Sequence, residues 1–179
     1  MRYVKIPKER IGVLIGHNGK VKEEIEERSG IKLFIDSETG EVQIDDSNAK
    51  DPLMPLKVEN IVRAIGRGFS PEHAFLLFDD DMYFLLFDLR EYVGKRESHI
   101  RRVKSRIIGR DGRTKHFIEH ITDSHISVYG HTVSVITSLE YLEAVKTAIE
   151  MLINGSKHDT VYRYLQRKKK EIEFESLSR

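Results

Sequence analysis

The sequence has 179 residues, which is long enough for one large domain or two small ones with a modest core each. It is 33% charged and contains no cysteine, which excludes disulfides and thiolate metal sites and favours an intracellular, cytoplasmic protein. No stretch approaches the roughly 18–20 apolar residues of a membrane span, and the N-terminus has no signal-peptide run, so we expect a soluble protein without membrane contact.

The net charge of +1 hides an uneven distribution along the chain. Residues 1–69 carry twelve cations and twelve acids, and residues 70–95 carry two cations and six acids. Residues 96–179 carry sixteen cations and eleven acids. A basic part joined to a neutral part by an acidic bridge is typical of polyanion binders, although solvated basic faces produce the same pattern.

The first part of the chain predicts the element order β-α-α-β-β-α. Apolar residues at helical spacing predict the helices, and alternating apolar residues around a Ser-Glu-Thr-Gly turn predict a β-hairpin. In chain order we expect a strand at 3–6, helices at 7–16 and 20–30, strands at 33–35 and 42–44, and a helix at 58–65. Ser70-Pro71-Glu72 has the chemistry of a helix start and predicts a short extra helix.

The second part predicts the same order. In chain order we expect a strand at 83–89, helices at 100–108 and 113–121, strands at 126–129 and 132–136, and a helix at 139–153. An insertion of about ten residues, 90–99, separates its first strand from its first helix, and a longer helix is expected at 159–173.

The two parts are an internal repeat. An offset of 93 aligns Gly16 with Gly109 and Ile25-Glu26 with Ile118-Glu119. After a six-residue shortening of one loop the offset becomes 87, which aligns Gly68 with Gly155. Similarity across two linked blocks indicates a duplicated module.

A Gly-x-x-Gly turn occupies the same place in each copy. We call residues 16–19 (Gly-His-Asn-Gly) the first glycine loop and residues 109–112 (Gly-Arg-Asp-Gly) the second glycine loop. Each follows an isoleucine and precedes a cation. A tight turn of this kind lets a polynucleotide backbone approach closely, and the amides of the next helix favour phosphate. The alternative interpretation is that each loop is a plain helix–helix turn without a binding role. This alternative has more weight for the first glycine loop than for the second.

The duplicated loop and the element order resemble the type I KH module, whose glycine loop clamps about four nucleotides. The resemblance implies an α+β fold class with two type I KH domains (β-α-α-β-β-α), each followed by an extra C-terminal helix. The implied ranges are 1–78 for the first domain and 79–179 for the second, with its C-terminal helix.

The two loops differ in surrounding charge. Residues 101–115 contain seven cations and one acid, whereas the aligned residues 8–22 contain four cations and one acid. Phosphate contacts dominate nucleic-acid affinity, so the second copy is expected to bind RNA more strongly. The predicted RNA-binding residues are Ile108, Gly109, Arg110, Asp111, Gly112, Arg113, Lys115, Arg102, Lys104 and Arg106. The predicted secondary RNA-binding or partner-binding residues are Ile15, Gly16, His17, Asn18, Gly19 and Lys20.

Base preference in a KH module comes from apolar groove residues. The candidates in the second copy are Ile107, Ile108, Ile126 and Val128. Some of these must belong to the core, and the sequence does not separate the two groups.

Two other patterns could suggest metal chemistry. His116 and His120 match the inverted zinc-peptidase pattern His-x-x-Glu-His, but the aligned residues Glu23 and Glu27 lie on a solvated helix face. The acidic residues 79–81 could hold a divalent ion, but they lie where a linker is expected. Neither glycine loop continues as a nucleotide-binding P-loop. We therefore predict no catalytic residue, metal or cofactor.

Two segments give a closer resemblance: Ile-Ile-Gly-Arg-Asp-Gly-Arg at residues 107–113 and His-Asp-Thr-Val-Tyr-Arg-Tyr-Leu at residues 158–165. They resemble the archaeal tandem-KH factor of small-subunit ribosome assembly, a relative of the eukaryotic pre-ribosomal factor called the partner of Nob. The resemblance implies binding to the 3′ end of small-subunit ribosomal RNA, next to the Nob endonuclease, and association with the α subunit of translation initiation factor two. The second copy would then hold single-stranded RNA through residues 109–113.

An alternative function is a protein-interaction scaffold that docks a translation initiation factor or endonuclease, with RNA contact secondary. The acidic residues 79–81 would contribute to that docking. Eukaryotic relatives tend to lack the first glycine loop, whereas this chain keeps it, so RNA contact by the first copy stays open.

Overall fold

The computed structural model describes residues 1–178 and divides the chain into two compact units. The first unit runs from Met1 to Asp80, and the second begins at Asp81. Both units contain the order β-α-α-β-β-α, with a short helix after it in the first unit, and a helix in the insertion and a long final helix in the second. The predicted α+β class and module order are confirmed. Within the described residues, no helix combines the length and the apolar character needed to cross a bilayer.

The first unit is built on an antiparallel sheet with the strand order β1-β3-β2. Val4 pairs with Val42, and Leu33 pairs with Ile44, which puts these four buried side chains in the core. The elements are β1 (Arg2–Lys5), α1 (Lys8–Ile15), α2 (Lys20–Ser29), β2 (Lys32–Ile35), β3 (Glu41–Asp45), α3 (Met54–Gly66) and α4 (Pro71–Ala74). Ser70 caps α4 by accepting a hydrogen bond from the His73 amide.

The second unit repeats this sheet with the order β4-β6-β5. Leu85 and Ile126 both pair with Val135, and Phe87 pairs with Val133, so the central strand brings apolar residues from both neighbours to one face. The elements are β4 (Met82–Asp88), α5 (Leu89–Val93), α6 (Glu97–Ile108), α7 (Arg113–Thr122), β5 (His125–Tyr129), β6 (Thr132–Ser138), α8 (Leu142–Ile153) and α9 (His158–Leu177).

The core of the second unit lies between this sheet and its helices. Ile107, Ile118 and Ile149 are fully buried on α6, α7 and α8, and α9 adds Val161 and Leu165. Each fully buried isoleucine or leucine contributes roughly 1.5–3 kcal/mol to stability. Helix α9 is therefore part of the folded unit and not a loose extension.

One glutamate in each unit joins the second helix to the following strand. The Glu119 carboxylate accepts a hydrogen bond from the Ile126 amide (2.9 Å) and pairs with Lys115 (3.0 Å). Glu26 does the same for the Leu33 amide (2.8 Å) and Lys22 (3.5 Å). These residues align in the sequence repeat, so the duplication preserves a polar contact as well as the core.

The structure differs from the sequence prediction by one additional helix and at the boundaries of the last two helices. The insertion contains a helix, α5, whose N-cap is Asp88, with its carboxylate accepting from the Arg90 amide (3.0 Å). The helix expected at 139–153 starts as a 3₁₀ turn, Leu139–Tyr141, and becomes α-helical at Leu142. The last helix is longer than expected, because it starts at His158 and continues to Leu177.

Candidate nucleic-acid interface

The two glycine loops have the same backbone conformation. In both, the first glycine has φ 77°, and the third residue, Asn18 or Asp111, has φ 55° and ψ 28°. The last glycine has φ 74° in the first glycine loop and 77° in the second. Asparagine and aspartate tolerate this left-handed conformation better than other side chains do. The loop shape is thus encoded twice, independently of the local charge.

The first and last glycines of each loop are required for different reasons. A Cβ added to Gly109 would lie 2.7 Å from the backbone nitrogen of Thr114, and one added to Gly16 would lie 2.8 Å from that of Val21. A Cβ added to Gly112 would have no heavy atom within 4 Å. The first glycine therefore lets the loop pack onto the next helix, whereas the last provides a positive φ and leaves the surface open.

Helix α7 starts directly at the second glycine loop. Its N-cap is Gly112, and no side chain in the described part of the chain caps the helix there. Arg110, Asp111 and Arg113 are exposed around this helix start. The amides of Gly112 and Arg113 donate to the carbonyls of Gly109 and Arg110, and the helix dipole favours negative charge at this end of α7. The second glycine loop therefore places the positive end of the α7 dipole next to arginines.

The predicted cationic residues have different environments in the structure. Arg102 is exposed, whereas Lys104 is half-buried. Lys115 pairs with Glu119. The Arg106 guanidinium donates to the backbone carbonyls of Leu152 (Nε, 3.1 Å) and Ser156. Arg106 thus has intramolecular partners, a role that sequence reasoning did not identify.

The structure separates the apolar candidates into buried residues and partly buried ones, of which Val128 also packs against the core. Ile107 and Ile126 are buried in the core. Ile108 and Val128 are only partly buried. The first unit shows the same division, with Leu14 and Leu33 buried and the aligned Ile15 and Ile35 partly exposed. Of the four candidates, Ile108 and Val128 are therefore the two with exposed side-chain surface.

Helix α9 braces the second glycine loop. The hydroxyls of Thr114 and Tyr162 share a hydrogen bond of 2.9 Å, and the Tyr162 ring packs on Phe117 with centroids 4.3 Å apart. The His158 Nε2 atom lies 2.9 Å from the Arg106 carbonyl oxygen. A carbonyl can only accept, so Nε2 carries the proton. These contacts hold both sides of the loop, and sequence reasoning missed them.

The first unit has an apolar version of this arrangement. Val21 aligns with Thr114, and Phe75 aligns with Tyr162, so neither side chain has the hydroxyl needed for the bond. Arg28 instead stacks over Phe78, with its guanidinium carbon 4.3 Å from the ring centroid. The polar brace is thus specific to the more basic copy.

The patterns that could suggest metal chemistry do not form a metal site in the described residues. The His116 and His120 rings stack with centroids 6.2 Å apart on an exposed face. No group of three or more histidine, aspartate or glutamate side chains within residues 1–178 is arranged to hold a metal ion. Asp80 pairs with Lys57, and the Asp81 carbonyl accepts from the Leu139 amide (2.8 Å).

Comparison with known families matches both halves of the chain. Residues 83–170 match a family model described as a eukaryotic type KH domain, KH-domain type I. Residues 1–50 match the KH domain model. The KH domain-containing protein MJ0443 of Methanocaldococcus jannaschii is 42% identical over 169 residues, which cover 94% of this chain and 74% of that protein. The chain belongs to this archaeal tandem-KH family. The predicted family resemblance and the type I KH folds are thereby confirmed.

Two further relatives connect the family to named complexes and processes. The pre-rRNA-processing protein pno1 of Schizosaccharomyces pombe is 27% identical over 168 residues, which cover 93% of this chain and 70% of that protein. A chain in the crystal structure of the a/eIF2alpha-aDim2p-rRNA complex from Pyrococcus horikoshii OT3 is 50% identical, with a TM-score of 0.86. That match covers 95% of this chain and 94% of the Pyrococcus chain.

Proposed function

We propose that this chain binds single-stranded RNA through the second glycine loop as a non-catalytic factor in small-subunit ribosome maturation. Its proposed target is the 3′ end of small-subunit ribosomal RNA. The observation that supports this proposal most directly is the second glycine loop. Arg110 and Arg113 are exposed there, beside the start of α7, which no side chain in the described residues caps. The rRNA in the Pyrococcus complex and the pre-rRNA-processing name of the yeast relative support the choice of target.

The residues of the second unit then have distinct roles. Arg110, Arg113 and the positive end of the α7 dipole attract phosphates, and the open surface at Gly112 admits the backbone. Ile108 and Val128 contact bases. Arg102 and Lys104 extend the positive surface along α6. Lys115 pairs with Glu119 and contributes a positive charge beside the loop.

Arg106 has a positioning role in this proposal. Its guanidinium is engaged by carbonyls at the end of α8, so it holds α6 in place and does not contact RNA directly. The contribution of Arg106 to RNA affinity is therefore indirect, through the position of the second glycine loop.

The first glycine loop is proposed as a weaker or auxiliary site. It has the same backbone as the second, but the exposed residues between its glycines are His17 and Asn18, with Lys20 after them. Fewer cations mean fewer released counterions and a lower affinity for RNA. The partly exposed Ile15 corresponds to Ile108 and keeps an apolar contact available.

The α subunit of translation initiation factor two is the proposed protein partner. The observation that favours it is the Pyrococcus complex, in which a chain 50% identical to this one is present with a/eIF2alpha and rRNA. RNA binding and protein docking are compatible in this proposal, because that complex contains both. The Nob endonuclease expected from the family resemblance stays a prediction.

The test replaces one residue of the second glycine loop. Arg110→Asp creates the sequence Gly-Asp-Asp-Gly, which places two carboxylates where phosphates must approach. We expect the affinity for single-stranded RNA of the small-subunit rRNA 3′ end to fall by at least about tenfold, since like-charge contacts cost several kcal/mol. Fluorescence anisotropy measures the affinity, and circular dichroism checks the fold.

A matched variant of the first glycine loop provides the comparison. His17→Asp with Asn18→Asp creates the same Gly-Asp-Asp-Gly sequence there, and we expect a smaller loss of affinity. Unchanged RNA affinity in the folded Arg110→Asp variant would reject the proposed site. A larger loss in the first-loop variant would assign the main RNA contact to the first unit.

A further inference from the structure

The insertion of the second unit forms one wall of a cavity of about 420 Å³. The cavity lies between the insertion, the N-terminal half of α6 and the turn between β5 and β6. The first unit has no such insertion, because β1 ends at Lys5 and α1 begins at Lys8. The charged side chains that line the cavity are Arg90, Lys95, Arg101, Lys104 and Glu97, and the His131 imidazole lies beside them.

The cavity has an excess of positive charge. Arg90 is held in place by Asp88, whose carboxylate accepts from its Nε (3.1 Å) and from a terminal nitrogen (2.8 Å). Glu97 is the acid in the lining, which also contains the cations Lys95, Arg101 and Lys104. None of these three cations pairs with an acid in the part of the chain that the structure describes. Lys104 is also half-buried, which makes a bound anion favourable there.

The cavity is continuous with the second glycine loop along one face of α6. Arg101, Lys104 and Ile108 are spaced by three and four residues, so they lie on the same side of the helix. At about 1.5 Å per residue, Arg101 lies about 12 Å from Gly109 along the helix axis. A strand clamped at the loop can therefore follow this face to the cavity.

We propose that this cavity binds phosphate groups of the RNA strand beyond the four nucleotides held at the second glycine loop. The inference rests on the proposed RNA-binding function and adds a second contact to it. An acidic protein segment would also match the charge. The face that runs from the loop past the apolar Ile108 favours RNA, because it combines an apolar contact for a base with the cations Lys104 and Arg101 for phosphates.

RNAs of two lengths distinguish binding at the cavity from binding at the second glycine loop. The probes are a tetranucleotide selected for binding to the full chain and two octanucleotides that carry it at the 5′ or the 3′ end. The test variant is Lys95→Ala with Arg101→Ala. We expect unchanged tetranucleotide affinity and a weaker affinity for one of the octanucleotides. For that probe, the slope of log K against log salt should become shallower by about 1.4, which is about 0.7 for each lost phosphate contact.

The control removes the same charge from elsewhere in the second unit. Lys146→Ala with Lys170→Ala changes two exposed lysines on α8 and α9. An equal loss in this control would show a general charge effect and overturn the proposal. It is also overturned if the test variant binds both octanucleotides as the unmodified chain does. Failure to select any tetranucleotide that binds the unmodified chain would instead reject the proposed function itself.

Discussion

Arg10 and Arg106 bind equivalent backbone carbonyls from different turns of equivalent helices. Arg10 donates to the carbonyls of Ile65 and Phe69, both at 2.8 Å, and Arg106 donates to those of Leu152 and Ser156. The acceptors align in the repeat, but the arginines are one helical turn apart in the alignment. Positions three residues apart lie on the same helix face, so an arginine at either position can reach these carbonyls. The two units therefore make the same contact with arginines at different aligned positions.

Loss of this contact should destabilise the second unit. We expect Arg106→Ala to lower the free energy of unfolding by roughly 1.5–3 kcal/mol, because hydrogen bonds of a charged group to the end of α8 are lost. Urea unfolding measures the change. Arg102→Ala, an exposed residue on the same helix, should stay within about 0.5 kcal/mol of the unmodified chain while weakening RNA binding. Equal stability of the two variants would contradict the positioning role of Arg106.

The two glycines of the second glycine loop should respond differently to substitution. Gly109→Ala adds a Cβ against the Thr114 backbone as well as strain at positive φ, so we expect a loss of stability well above the roughly 1–2 kcal/mol of the strain alone. Gly112→Ala has open space and should incur only the strain, while reducing RNA affinity. Thermal unfolding and anisotropy measure the two effects. A reversed order of stability would contradict the packing argument.

The hydroxyl of Tyr162 should matter for RNA affinity. Tyr162→Phe keeps the ring on Phe117 and removes one hydrogen bond worth about 1 kcal/mol, so we expect a loss of about fivefold in affinity. Faster hydrogen exchange of the amides at 109–114 should accompany it. Tyr164→Phe, a half-buried tyrosine on the same helix, is the control and should leave both unchanged. Unchanged exchange in Tyr162→Phe would argue against the brace.

The Asp88–Arg90 pair should make stability sensitive to acid. The hydrogen bond from Arg90 holds the pKa of the Asp88 carboxyl below its ordinary value. Its stabilisation is therefore present above the unfolded pKa, roughly 3.9, and is lost as the pH falls through the lower folded value. Between about pH 5 and about pH 2, the melting temperature of the unmodified chain should fall more than that of Asp88→Asn. Asp159→Asn, which changes an exposed carboxyl on α9, should follow the unmodified chain.

The sequence alone predicts the order of the helices and strands. It does not predict which apolar residues lie in the core and which line the groove. Ile107 and Ile108 are adjacent and identical in chemistry, yet only the first is fully buried. Which of two neighbours faces inward depends on the rotation of α6 against the sheet, and this rotation is a tertiary property. The short helix α5 was missed although Asp88 is a recognisable N-cap, because a single turn has too little periodicity to detect.

The brace of the second glycine loop could have been detected from the repeat. Thr114 replaces Val21, and Tyr162 replaces Phe75, so two aligned positions gain a hydroxyl together. A paired change of this kind indicates a contact, but only the structure shows that the two oxygen atoms are 2.9 Å apart. The role of Arg106 had no such signal, because its counterpart Arg10 lies at a different aligned position.

Because α9 follows both glycine loops in the chain, it leaves the ribosome after them during synthesis. A nascent chain that ends before His158 already contains both glycine loops, but the second lacks the contacts from His158 and Tyr162. During synthesis the second glycine loop is therefore made before the α9 residues that brace it. A chain terminated before α9 would have a poorly supported second glycine loop, so RNA binding at full strength requires synthesis through α9.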